Sequence, residues 1–431
     1  MAPPSARAPC KSAGSRGESM AGSATETVSR REGTDRGGHA VGGFARPGFQ
    51  AVREAFIENF ERRDELGAAC CIYHRGEKVV DLWGGIRDRA TGEPWEEDTM
   101  ALVHSTTKGM AGLAMALAHS RGLFDYDERV STYWPEFAQQ GKGRITVRQL
   151  LSHQAGLFAL DERPVRSLVA DPDRLAAVLA RQRPAWPPGT RQAYHGITLG
   201  FYESELLRRV DPGHRTLGRF FQEEIATPLA LDFYIRLPEE IPDSRLAPLY
   251  RFKMVSALLA LPLSLALAAI NPRSRFRRCL LGSELPEEGE HVYARNLEVP
   301  AGGGVGTARA VARAYSVFAT GGGELRLREE TLRQLMAPAV PPVHGFRDAC
   351  LKAEIQFSLG FAKPGPKNPF AHPSSFGAPG TGGSFGFADP HAKVGYAYIP
   401  NRMGAHLEDP REAALRRAMY RSIGETVPSR P

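Results

Sequence analysis

Acidic residues are absent from one stretch of this chain, and cysteine is scarce throughout it. Between residues 251 and 283 there are six Lys or Arg and no Asp or Glu. Five cysteines (Cys10, Cys70, Cys71, Cys279, Cys350) in 431 residues are few, odd in number and without metal-ligand spacing. That pattern argues against a disulfide framework and a metal centre, and leads us to expect a reducing, cytoplasmic setting. Cys70 and Cys71 are neighbours in an apolar run, where strand side chains alternate, so packing on opposite faces is expected rather than reactivity. No basic start followed by an apolar stretch reads as a secretory leader. A transmembrane run is lacking too. The uncharged segment 254–270 has 17 residues, about 26 Å as a helix against a hydrocarbon core of about 30 Å. Pro262 would kink it, and basic residues on both sides give no orienting asymmetry. Three readings remain: a buried helix, a lid over an acyl pocket, or a segment resting on an anionic membrane, with peripheral contact through residues 251–278.

The net charge of +7 divides unevenly. Residues 1–46 carry +3 and residues 251–283 carry +6, leaving a body of −2. A nucleic-acid binder carries its charge on a folded face, so no nucleic-acid partner is expected.

The 42% apolar and 24% charged content is that of a globular protein. Residues 1–46, rich in Ser, Gly, Arg and Ala, read as a disordered tail. From Pro47 onward, Phe49, Val52, Phe56 and Phe60 form one apolar helical face. Residues 66–73 and 78–83 are strand-like runs joined by His74-Arg75-Gly76-Glu77, a β-hairpin. From Ser105 to Arg121 the residues are small and apolar almost all round, predicting a buried central helix that Gly122 ends. A helical and loop region follows to about 325. Strands at 385–388 and 394–399 and a helix at 411–423 close the chain. The expected fold is α+β: an antiparallel sheet flanked by helices (47–122 and 326–425), with an inserted, mainly helical subdomain (123–325), together one catalytic domain over 47–425.

Three segments carry candidate chemistry. Ser105-Thr106-Thr107-Lys108 is the only Ser-x-x-Lys in the chain. An i, i+3 pair shares a helix face, so Lys108 can reach Ser105. The unpaired N–H groups and positive end of the first turn favour a neutral lysine and a developing oxyanion. The alternative is that Ser105 merely caps the helix. In Pro187-Pro188-Gly189-Thr190-Arg191-Gln192-Ala193-Tyr194, a rigid turn can place Tyr194 beside that helix, where a cation such as Lys108 would have to lower its pKa. Finally, residues 376–390 are glycine-dense in a strand region, suggesting close approach of a substrate at Ala378, Pro379, Gly380 and Gly382, and Pro379 suggests a sheet edge.

In order, these segments resemble the serine β-lactamase and penicillin-binding-protein superfamily, most closely its class C-like esterase branch, over roughly residues 48–420. Leu150-Leu151-Ser152-His153-Gln154-Ala155-Gly156-Leu157, Asp125-Tyr126-Asp127-Glu128-Arg129-Val130 and Phe387-Ala388-Asp389-Pro390 share the likeness. The resemblance implies a serine hydrolase without cofactor or metal that cleaves a small carboxylic ester. Ser105 would be acylated, Lys108 and Tyr194 would relay its proton, and the N–H groups of Ser105 and Thr381 would form the oxyanion hole. Two departures stand out: Tyr-x-Asn appears as Tyr194-His195-Gly196, and Lys-Thr-Gly as Ala378-Pro379-Gly380. The second leaves no cation for a β-lactam carboxylate. His195 is a candidate hydrogen-bond donor in place of the missing asparagine.

Other readings are a β-lactamase or D-amino peptidase, and a non-catalytic assembly protein on the same fold. Gly382-Gly383-Ser384-Phe385-Gly386 matches the nucleophile elbow of α/β-hydrolases, but only 47 residues follow Ser384, too few for that fold's remaining elements. Ser384 is therefore not expected to be the nucleophile. His153 is expected to be structural.

Overall fold

The computed structural model describes residues 33–34, 40–251, 262–280, 285, 295–406 and 408–426. Strand β1 (Ala40–Ala45) precedes α1 (Gln50–Arg62). The predicted hairpin is β2 (Gly67–His74) and β3 (Glu77–Asp88). Its two-residue loop puts Arg75 at φ +54° and Gly76 at φ +84°, the left-handed pair that matches the twist of a tight hairpin.

The long central helix is α2 (Thr107–Ser120), entered through a 3₁₀ turn at His104–Thr106 and ended at Gly122 with φ +75°. Further helices are α3 (Thr198–Val210), α4 (Leu263–Ile270), α5 (Arg275–Leu280) and α6 (Ala308–Ala319). Strands β4 (Gln356–Ser358), β5 (Phe361–Lys363), β6 (Phe376–Pro379), β7 (Phe385–Asp389) and β8 (Val394–Pro400) lead to α7 (Pro410–Ser422).

The sheet runs β1-β3-β2-β8-β7-β6-β5-β4 and is antiparallel throughout. One face packs on α2 and α6, the other on α1 and α7. Cys71 belongs to the first layer and Cys70 to the second, as strand alternation requires. This is the β-lactamase/transpeptidase-like α+β fold. A small second sheet, in which Met100–Leu102 pairs with Val305–Gly306 and Leu246–Ala247, steers the chain into the turn that carries Ser105.

Two expectations need correction. Ala40–Ala45 is a strand paired with β3 through Val41↔Gly84 to Ala45↔Val80, so regular structure begins before Pro47; residues 1–32 and 35–39 of the expected tail lie outside the described residues. Helix α6 packs against β8, where Gly395 lets the Ala312 carbonyl approach to 2.4 Å of the position a Cβ would take. The sheet layer therefore resumes at this helix, not at 326. Within the apolar segment, 254–261 lies outside the described residues. In α4, Leu265 and Ala268 are buried while Leu263, Leu267 and Ile270 are 76%, 60% and 63% exposed, so this part packs on one face and leaves the other uncovered by the described residues. No helix among the described residues is long and apolar enough to cross a membrane.

Candidate active site

Ser105 stands on the 3₁₀ turn at the head of α2, behind His104 at φ +45°. A left-handed non-glycine costs about 1–3 kcal/mol. The surrounding contacts hold it: Val103 N–H donates to Gly304 O at 2.9 Å, and Gly304 N–H donates to Thr107 Oγ1 at 2.8 Å. Glycine is required at two points on α2. A Cβ on Gly109 would lie 1.8 Å from the Tyr315 hydroxyl, and one on Gly112 would lie 2.7 Å from Phe361.

Lys108 is buried, with Nζ 3.2 Å from Ser105 Oγ and hydrogen bonds to the carbonyls of Gly196 and Ala301 (2.7 Å for the latter). Burial pulls its pKa down to about 7. An uncharged amine has two N–H groups and one lone pair. The two carbonyls take the N–H groups, leaving the lone pair for the Ser105 hydroxyl.

Tyr194 Oη donates to Ser105 Oγ at 2.8 Å, and the Lys108 amine lies 4.8 Å from the centre of the Tyr194 ring. The expectation that Lys108 lowers the tyrosine pKa is corrected: burial raises it, the Ser105 hydrogen bond opposes this only in part, and the phenol keeps its proton. Tyr194 N–H donates to Asp348 Oδ2 at 2.7 Å, and the ring stacks on Phe357. Asp348 is itself buried, its pKa raised to about 6.

The glycine-rich segment lies across from this turn. Ser384 Oγ donates to Val103 O at 2.9 Å and contacts Thr106 Oγ1 at 3.0 Å, while Gly380 N–H donates to Ser384 O at 2.7 Å. Ser384 is thus a buried rivet between the start of β7 and the turn of Ser105. A Cβ on Gly380 would meet Ser384 Oγ at 2.2 Å and Val103 O at 2.4 Å, so only glycine permits this approach. Among the described residues, the backbone N–H groups of Ser105 and Thr381 have no hydrogen-bond acceptor.

Four sequence expectations are corrected here. Strand β6 is not the sheet edge, since β5 and β4 lie beyond it; but β5 pairs with it only at Gly377, so Pro379 sits past the end of that ladder. Ala378 is buried beside Gly109, and Gly382 is buried beneath Met403, its carbonyl accepting from Gly404 N–H at 2.9 Å. Pro379 and Thr381 are exposed. His195 does not face the cleft. It is fully buried, its Nε2 accepts from Leu157 N–H at 3.1 Å, and its Nδ1 lies 3.0 Å from His153 Nδ1. Nε2 as acceptor puts the proton on Nδ1, and His153 Nδ1 accepts from the His195 backbone N–H at 3.0 Å. Burial depresses the His195 pKa to about 3 and lowers that of His153. The imidazole pair is uncharged scaffolding.

The missing asparagine has a steric explanation. A Cβ on Gly196 would sit 2.2 Å from the Cys279 carbonyl oxygen and 3.2 Å from its sulfur. Helix α5 fills that space, and Cys279 Sγ lies 3.0 Å from Tyr194 O. The sequence did not signal Asp348, Cys279 or the Ala301 carbonyl. Glu203 was also missed, although it left a trace: it shares a helical face with Leu199, Leu206 and Leu207, where an acid is out of place.

A serine on a helix-head turn, a buried lysine one turn on and a tyrosine hydrogen-bonded to the same oxygen, all on this sheet-and-helix frame, define a serine hydrolase of the penicillin-recognising type. The sequence profile of the beta-lactamase family matches residues 52–420, and the chain belongs to that family. It is 33% identical over 388 residues to the esterase/beta-lactamase LipL of Mycobacterium tuberculosis, covering 87% of this chain and 86% of LipL. Solved structures include a family VIII carboxylesterase (35% identity, TM-score 0.78, 89% of this chain and 99% of that one). A penicillin-binding-protein homologue from Caulobacter crescentus is similar at 35% identity, TM-score 0.74 and the same coverage.

Proposed function

We propose that this serine hydrolase cleaves small carboxylic esters through an acyl-enzyme on Ser105, with Lys108 as general base and Tyr194 as proton donor. The observation that carries this reading is the shared oxygen: Ser105 Oγ lies 3.2 Å from the Lys108 amine and 2.8 Å from the Tyr194 hydroxyl. Lys108 takes the hydroxyl proton as Oγ attacks the ester carbonyl. The N–H groups of Ser105 and Thr381 receive the oxyanion. The Tyr194 hydroxyl protonates the departing alkoxide, and the lysine's proton restores the phenol. Water then attacks the acyl-enzyme by the reverse relay and releases the acid.

Esters are preferred over β-lactams, because the segment that would hold a carboxylate offers Ala378, Pro379 and Gly380. The neighbouring amine of Lys363, on β5, is buried and spent on Leu335 O and Ser374 O. A recognition site that lacks a charge partner loses orders of magnitude in rate. The expected kcat/KM for a short p-nitrophenyl ester exceeds that for a chromogenic cephalosporin by about 10²-fold or more. Equal or reversed values would overturn this preference and favour the β-lactamase reading.

We also infer that α4 docks this enzyme on an anionic membrane surface. Leu263, Leu267 and Ile270 recur at i, i+4 and i+7 and point outward. Arg273, Arg275 and Arg277 follow directly, with no acid between 262 and 280, while Arg278 is ion-paired with Asp161 at 3.0 Å. Apolar insertion flanked by guanidinium groups fits anionic headgroups. Through Cys279 of α5, whose Sγ lies 3.0 Å from Tyr194 O, this segment touches the Tyr194 loop, which would bring the cleft to the lipid. The protein is expected to sediment with phosphatidylglycerol-containing vesicles at low salt, less at high salt, and about tenfold less as the Leu263→Asp/Leu267→Asp variant. Equal partition onto pure phosphatidylcholine, or none onto either, would rule the surface out.

A further inference from the structure

Helix α3 carries an acid that the mechanism above does not use. Glu203 is fully buried, and neither carboxyl oxygen has a hydrogen-bond partner among the described residues. Leaving such a group bare is costly unless something compensates it. Its place is specific. A Cβ built on Gly360 would lie 3.2 Å from Glu203 Oε1 and 3.3 Å from Gly112 Cα, so the carboxyl is lodged in the seam where α3, α2 and the turn before β5 meet. Gly112 is one helical turn beyond Lys108, just as Ser105 is one turn before it. Lys108 is the charged group acting on Glu203, and Glu203 acts in return on Lys108 and on the buried phenol of Tyr126, whose hydroxyl is likewise unpartnered.

We propose that Glu203 is a positioning residue for the general base: from the C-terminal side of Lys108 on α2, it favours the protonated form of that lysine. The inference rests on the reading of Lys108 as base. The groups facing Lys108 are Ser105 and Tyr194 in the cleft, Cys279 on α5, the His153–His195 pair and Glu203; those facing Glu203 are Lys108 and Tyr126. Burial raises the carboxyl to about 8 and lowers the amine to about 7. With one proton removed, the two groups hold either a neutral amine and a carboxylic acid, which is active, or an ammonium and a carboxylate, which is not. Removing the acid abolishes the second form, so the neutral amine is reached at lower pH.

The test is the pH profile of kcat/KM for Glu203→Gln and Glu203→Leu. Both are expected to move the acidic limb down by about half to one pH unit, with about threefold to tenfold more relative activity on the limb and a plateau within about threefold of wild type. Where a variant fails to fold, wild type supplies the second measurement: the pH dependence of fluorophosphonate labelling should need two coupled protonation steps. An unmoved limb in the folded variants, or a single ionisation in wild type, overturns the proposal and leaves Glu203 a packing residue. Failure of the base reading itself would look different, as full activity in Lys108→Arg.

Discussion

Ser105→Ala is expected to lower kcat for ester hydrolysis by about 10⁴-fold or more while the protein keeps its fold. The size follows from the oxygen's position. Lys108 and Tyr194 both converge on Oγ, so removing it disconnects the base from the acid, and residues that act as one unit fail together. Alanine at 105 removes no buried apolar volume, since Ser105 is only half-buried, and thermal unfolding should change little. A variant that retains activity would move the nucleophile elsewhere. A variant that unfolds would show the hydroxyl to be a structural cap.

Lys108→Arg should cost about as much, and for a more informative reason. A guanidinium keeps the positive charge and the donors but cannot give up its proton in the working range. If Lys108 merely held Ser105 in place, arginine would preserve part of the rate; if it is the base, arginine abolishes it. Double replacement with Ser105→Ala should add almost nothing to either single loss. In the unaltered enzyme the same assignment fixes the sign of the pH dependence. The amine must be neutral, and its pKa is depressed to about 7 by burial, so kcat/KM should rise with pH through about 7 and level off above it. Rates falling over that range would place the essential form on the protonated side.

How much of this was legible in the sequence depends on which chemical groups do the work. Ser105 and Lys108 were legible because a helix converts a spacing of three into contact, and the long small-residue run showed that the helix is buried. The hairpin at Arg75-Gly76 was legible because its turn demands left-handed backbone. His195 was misplaced because adjacency to Tyr194 says nothing of direction: the histidine turns inward to Leu157 and His153. Pro379 was read as an edge residue when it sits on an inner strand, past the end of the β5 ladder but still paired with Phe385 of β7. The carbonyls of Gly196 and Ala301 that take the Lys108 N–H groups have no sequence signature, because every residue has a carbonyl. Nor does adjacency predict that Cys279, more than 80 residues from Gly196, occupies the space an asparagine would need.

The central claim, that the acyl group is carried by Ser105, is tested most directly by labelling with a fluorophosphonate and mapping the modified peptide. The adduct is predicted on Ser105 alone, absent in Ser105→Ala and strongly slowed in Lys108→Arg. An adduct on Ser384, or no adduct in an enzyme that still turns over ester, would contradict it.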